Sequence, residues 1–188
     1  MKYLPSTLLA LSAGAVLSAC AGMPSGGMAA PMTPFSQDAL PDAVKVPPGH
    51  RVALETAGAG DITYECRAKA NAVGAFEWVF VGPKARLAGR TGSKVGSYYG
   101  PPATWEAQDG SKVTGSQLAV APGGSGNIPL QLVKANPALG DGAMTGVTYI
   151  QRVATRGGTA PAATCDANSV GRKEVVQYQA DYIFWKAA

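Results

Sequence analysis

The sequence predicts an all-β domain, an antiparallel sandwich or barrel of roughly eight to ten strands. Three observations predict it. Apolar and polar residues alternate with period two through most of the chain beyond Arg51. Glycine-rich turn signals break that alternation at short intervals. No stretch after the N-terminal segment sustains the 3.6-residue period of an amphipathic helix.

The elements follow in chain order. Met1–Ala19 has the three parts of an export signal: Lys2, an apolar run from Leu4 to Val16, and small residues before Cys20. Leu17-Ser18-Ala19-Cys20 matches the lipobox of bacterial lipoproteins. Cleavage before Cys20 and a diacylglyceryl group on its thiol are therefore expected. The apolar run is shorter than the ~20 residues that a membrane span needs. Residues 20–40, rich in Gly, Pro, Ala, Ser and Met, read as a lipidated cysteine and a flexible tether. Residues 41–188 read as a single β-domain entered through the stiff turn Pro47-Pro48-Gly49.

Within that domain Ile62, Tyr64, Cys66 and Ala68 share one face of a half-buried strand. Phe76, Trp78 and Phe80 form a second inward set, and Ile128, Leu130 and Leu132 a third. Val147–Thr155 is rich in β-branched residues and reads as a long strand. Val176, Tyr178, Ala180, Tyr182 and Phe184 share a face of the last one. Gly58-Ala59-Gly60, Gly82-Pro83, Asp109-Gly110, Gly123-Gly124, Gly140-Asp141-Gly142 and Gly157-Gly158 are read as turns between strands.

Charge and cysteine usage narrow the function classes. The precursor carries a net charge of +4. Loss of Lys2 with the signal leaves 15 − 12 = +3, scattered without a basic run, so nucleic acid is not an expected partner. Cys20 is reserved for lipid. Cys66 and Cys165 remain as an even pair in an oxidising compartment, which predicts one disulfide. Such a bridge closes a loop of about 100 residues and contributes up to about 4.7 kcal/mol in the chain-entropy description.

Catalytic chemistry has few carriers. His50 is the only histidine, and it sits at the domain edge beside the Pro-Pro-Gly turn. With no Gly-x-Ser-x-Gly elbow, a Ser-His-Asp triad lacks its parts. Gly89–Gly96 lacks the Walker spacing and reads as a hairpin. No metal site and no cofactor are expected. Paired carboxylates remain, because two acids hydrolyse glycosides without histidine. Glu106 and Asp109, next to Trp105, are the weak catalytic candidates, although Asp109-Gly110 is first of all a turn.

Two features are candidate ligand sites. Tyr98-Tyr99-Gly100-Pro101-Pro102 leads to Trp105, placing three aromatic rings in a loop that could stack on a sugar or a peptide. The favoured reading of Trp105 itself has it plugging the end of the fold. Arg152 shares a strand face with Ile150 and Ala154, so its head group is expected to be partly buried and paired, with Asp181 or Glu77 as partner. Anion binding is the alternative role.

From about Ile62 to Trp185 the chain resembles a secreted family, domain-of-unknown-function family 3455. Tyr64-x-Cys66, Trp78, Gly96–Pro101, Thr104-Trp105-Glu106, Asp109-Gly110-Ser111 and Ile128-Pro129-Leu130 carry the resemblance. Tyr149–Gly158, Cys165 and Ala180–Phe184 extend it. It implies a place among bacterial envelope and fungal extracellular proteins and no defined activity. Members often have histidine in the approach to the Gly-Pro step, where this chain has Tyr98 and Tyr99.

The reading that results is an envelope lipoprotein held on a membrane by acyl chains on Cys20. Ala21 follows that cysteine in place of an inner-membrane retention aspartate. That points to the outer membrane, at its periplasmic face. The β-domain is expected to be a non-enzymatic binding or structural module for an envelope glycan or protein. The alternative is a carboxylate-based hydrolase acting on envelope glycans.

Overall fold

The computed structural model describes residues 33–188, so the expected signal peptide, Cys20 and most of the expected tether lie outside the described residues. The packed unit runs from Pro34 to Ala188. Eight strands form it: β1 (His50–Ala68), β2 (Phe76–Ala88), β3 (Lys94–Tyr99), β4 (Thr104–Ala107), β5 (Lys112–Ala121), β6 (Leu130–Ala135), β7 (Val147–Gly157) and β8 (Lys173–Ala187). Each pairs antiparallel with the next, and β8 pairs with β1 to close a barrel. Closure pairs every one of these strands on both sides, although β4 is short and covers only the lower part of β5. The all-β expectation and the strand count are both met.

Two turn assignments are corrected. Gly58-Ala59-Gly60 lies inside the 19-residue β1, and Gly82-Pro83 lies inside β2. Both follow from crowding inside a small barrel. A Cβ on Gly58 would stand 2.6 Å from the Tyr182 ring, and one on Gly60 would stand 2.2 Å from the Lys84 carbonyl. These glycines make room for neighbours without turning the chain. Pro83 lies opposite Ile62 of β1 and above the last β2–β3 pair, Lys84–Tyr99, so its missing N–H takes nothing from the β3 ladder.

The inward faces build the main core. Leu87, Tyr98, Trp105, Val113, Val133, Ile150, Tyr178, Tyr182 and Phe184 are all buried there. Tyr98 stacks on Trp105 at 4.6 Å between centroids and tilts against Tyr182 at 5.0 Å. Trp105 meets Tyr182 edge-on at 6.0 Å. Such contacts add about 0.5–1.5 kcal/mol each to the burial of the rings themselves.

A second cluster lies on the outer face of β5–β8. Ala121, Leu132, Val153, Ile183 and Trp185 pack there with Val44 and Val46 of the segment preceding β1. Leu130 and Leu132 are therefore corrected: they face outward, under that segment, while Gln131 and Val133 face inward. The covering segment starts ahead of Pro41. Phe35 packs edge-on against Trp185 at 6.2 Å, and Leu40 adds to the cluster. Gln37 clamps Val46 with two side-chain hydrogen bonds, of 2.8 and 3.0 Å.

At the end where β1 finishes and β2 begins, called the upper rim here, β1, β2 and β8 overhang the barrel. The β7–β8 connection folds across that overhang. The Cys66–Cys165 disulfide fastens it, as the sequence predicted. Trp78 Nε1 donates to the Ala163 carbonyl at 2.7 Å, and Tyr64 donates to the Gly158 carbonyl at 2.8 Å. Phe80 shares the inward face of Tyr64, as expected, but stands at the open rim and is 52% exposed.

Candidate functional site

Strand alternation separates the three aromatics that the sequence placed in one loop. Tyr98 and Tyr99 are adjacent on β3, so their side chains leave opposite faces. Tyr98 and its β4 partner Trp105 point inward, at 6% and 1% exposure, and belong to the core. Tyr99 points outward. Trp105 thus fills the barrel, as the favoured reading of it expected, and does not join Tyr99 in a surface stacking platform.

Tyr99 lines a groove of about 810 Å³ on the outer face of β1–β4. Asp61, Lys84, Arg86, Lys94, Pro101 and Glu106 line it together with neighbouring residues of the same strands. Outward positions on successive strands supply these side chains, so a rigid wall fixes their spacing. The Tyr99 hydroxyl donates to Glu106 Oε2 at 2.5 Å, and that bond raises the phenol's pKa by holding its proton. Lys112 Nζ stands 3.9 Å from the same oxygen. Arg86 donates to the Gly92 carbonyl at 2.9 Å, and Gln177 donates to Asp61. Lys84 and Lys94 form no ion pair among the described residues. The groove offers an aromatic ring, a proline edge and unpaired ammonium groups.

Asp109 is not among the residues lining that groove. Its Oδ1 accepts from Ser111 N at 2.9 Å and Ser111 Oγ at 2.6 Å, and its Oδ2 accepts from Ala143 N at 2.7 Å. Those donors hold its carboxyl below the usual range. The side chain ties the β4–β5 turn to the β6–β7 loop, and its oxygens are committed there. Glu106 therefore stands in the groove without Asp109 as an open partner.

The pairing expected for Arg152 is overturned. Asp181 lies on the outer face of β8, and Glu77 pairs with Lys69 at 3.8 Å. Arg152 faces inward beside Tyr182, opposite Gln131 on β6. No carboxylate lies within 4.0 Å of it among the described residues. Its Nε and Nη2 both donate to the Pro129 carbonyl, at 3.1 and 2.9 Å. A bulge explains why Ala154 does not share its face: Ala154 adopts φ 49° and is exposed, which turns Thr155 inward. Burial pushes the pKa values of Tyr64, Tyr98, Tyr178 and Tyr182 upward, and the Arg152 charge opposes each shift. The guanidinium is thus within electrostatic reach of all four phenols.

Sequence reasoning missed the groove cations and Gln151. Lys84 and Arg86 were visible as alternate polar positions, but the turn read at Gly82-Pro83 hid the strand that carries them. Gln151 is fully buried on the outer face. It donates to the Val44 carbonyl at 2.6 Å and to Gln37 at 3.1 Å, and it accepts from Trp185 Nε1 at 2.8 Å. Nothing in its local sequence distinguished it from a solvated glutamine. Among the described residues no cluster of three His, Cys, Asp or Glu could hold a metal, and no helix is long and apolar enough to cross a membrane.

A family model described as "Protein of unknown function (DUF3455)" matches residues 47–186, from the turn before β1 almost to the end of β8. No curated protein and no solved structure matches the chain.

Proposed function

Since the chain belongs to this family of proteins of unknown function, we propose that it is a lipid-anchored envelope protein whose barrel is a non-enzymatic binding module. The groove is the binding surface in this reading. The observation that carries it is the composition of that groove: the Tyr99 ring and Pro101 edge beside Lys84, Arg86 and Lys94, on a wall of four strands. A flat ring beside fixed polar groups suits a sugar or a short peptide segment. The ammonium and guanidinium groups favour partners with acidic substituents. An envelope glycan or protein carrying such groups is the partner class.

The commitment of Asp109 to three donors supports binding over hydrolysis, because a two-carboxylate mechanism needs both acids open to substrate. Thermal-shift titration against cell-wall fragments and acidic glycans, with envelope pull-downs alongside, tests the binding reading. Stabilisation lost in Tyr99→Ala supports it. No shift with any fragment and no retained envelope protein would end it. Turnover of a glycoside panel that disappears in Glu106→Gln would establish the hydrolase instead.

The anchoring part rests on the Leu17–Cys20 lipobox. Acyl chains contribute about 0.8 kcal/mol per buried CH₂, and stable anchoring takes two chains, the number a diacylglyceryl group supplies. Ala21 after the modified cysteine favours the outer membrane, at its periplasmic face. Palmitate labelling and membrane fractionation of wild type against Cys20→Ser test it. A wild type that takes no label and fractionates as soluble refutes the anchor.

A further inference from the structure

Hydrogen-bond donors outnumber acceptors in the upper barrel interior. Arginine has five N–H groups, and two of Arg152's are spent on the Pro129 carbonyl, which leaves three without a protein acceptor among the described residues. The Tyr178 and Tyr182 hydroxyls, 3.1 Å apart, share one hydrogen bond, so one of their two protons is left over. The Tyr98 hydroxyl has no hydrogen bond to another described residue, although Tyr98 is 6% exposed. Trp105 Nε1 and Thr155 Oγ1 are buried without a partner among the described residues. Arg152 is only partly buried, and a guanidinium whose N–H groups lack protein acceptors favours a charge-assisted bond to an anion. The group that would complete this interior is therefore an acceptor with negative charge.

The barrel wall gives access from the upper rim. β4 and β5 pair only between Thr104–Thr114 and Glu106–Lys112, so the upper half of β5 has no β4 partner. Gln117 and Val120 lie on the inward face of that half, opposite Val133 and Gln131. Val120 is 44% exposed and Phe80 52% exposed, so the rim offers apolar surface around a polar floor. Gln131 donates to Gln117 at 2.6 Å, which fixes the floor's edge.

We propose that the upper barrel interior is a binding site for an organic carboxylate. Its carboxylate docks on the free edge of the Arg152 guanidinium, with the Tyr98 hydroxyl as a further donor. Its apolar body lies against Phe80 and Val120. A carboxylate's two oxygens supply about four acceptor positions, matching the surplus of donors. The pairing is charge-assisted and recognises a planar anion. This site is separate from the outer groove, because Tyr98 and Arg152 face the opposite side of the wall from Tyr99 and Lys84.

Calorimetric titration of the full mature chain with benzoate, octanoate and inorganic phosphate tests the assignment. Saturable binding of benzoate or octanoate is expected, weakened at least tenfold in Arg152→Gln and severalfold in Tyr98→Phe. Phe80→Ser, at an exposed position where folding is not at stake, should weaken both carboxylates severalfold. Tyr99→Ala should leave them unchanged, which keeps this result separate from the groove's. Absence of carboxylate binding at millimolar concentration overturns the proposal, as does equal affinity in wild type and Phe80→Ser. Phosphate bound as tightly as benzoate overturns the assignment to an organic acid.

Discussion

Two tryptophans show how differently the two faces of this wall are built. Trp185, on the outside, hands its indole N–H to Gln151, whose remaining hydrogen bonds go to Val44 and Gln37. Trp105, on the inside, is as deeply buried and has no partner for the same group among the described residues. The outer cluster is mostly aliphatic around one fully satisfied polar hub. The inner cluster stacks three aromatic rings, and some of its polar atoms are left without a partner among the described residues. The first arrangement serves stability, since each buried polar atom there is matched. The second tolerates unmatched donors, the groups that the proposed carboxylate would answer.

The largest expected effect lies outside. Gln151→Leu strips partners from the Val44 carbonyl and from Trp185 Nε1, both buried, and should cost about 2–4 kcal/mol. Urea unfolding measures it, and a cost under about 0.5 kcal/mol would mean that the segment before β1 is not fastened by this hub. Next comes Gly58→Ala. Its methyl would meet the Tyr182 ring, and overpacking at such a site costs about 1–3 kcal/mol. Unchanged stability there would show that the inner rings move freely.

A smaller contrast is internal to the barrel. Tyr64→Phe removes the bond to the Gly158 carbonyl and should cost about 1 kcal/mol. Tyr98→Phe removes a hydroxyl with no protein partner among the described residues and should stay within about 0.5 kcal/mol of wild type. If the two variants lose the same stability in the absence of ligand, the difference drawn here between matched and unmatched phenols fails.

Much of this was legible in the sequence, and the failures share a cause. Period-two alternation located the inward faces of β1 and β8 because their outer faces are polar over much of their length. It failed on β6, where the outer face is also covered, so that Leu130 and Leu132 looked like core of the ordinary kind. Gly58, Gly60 and Gly82-Pro83 read as turns because glycine and proline usually break strands. Here the glycines yield space to rings and backbone across a narrow barrel, a non-local demand that no short window carries. The disulfide was readable from cysteine count and compartment. The neighbours of Arg152 were not, because a bulge at Ala154 resets the alternation that was used to choose them.

The most direct test of the contrast is the indole N–H region of a ¹H–¹⁵N spectrum, titrated with benzoate. Trp78, Trp105 and Trp185 each give one signal, assignable by single Trp→Phe variants. The account predicts that the Trp105 signal moves with saturation while the Trp185 signal, locked to Gln151, stays in place. A Trp105 signal that does not respond, or a Trp185 signal that moves in its stead, contradicts it.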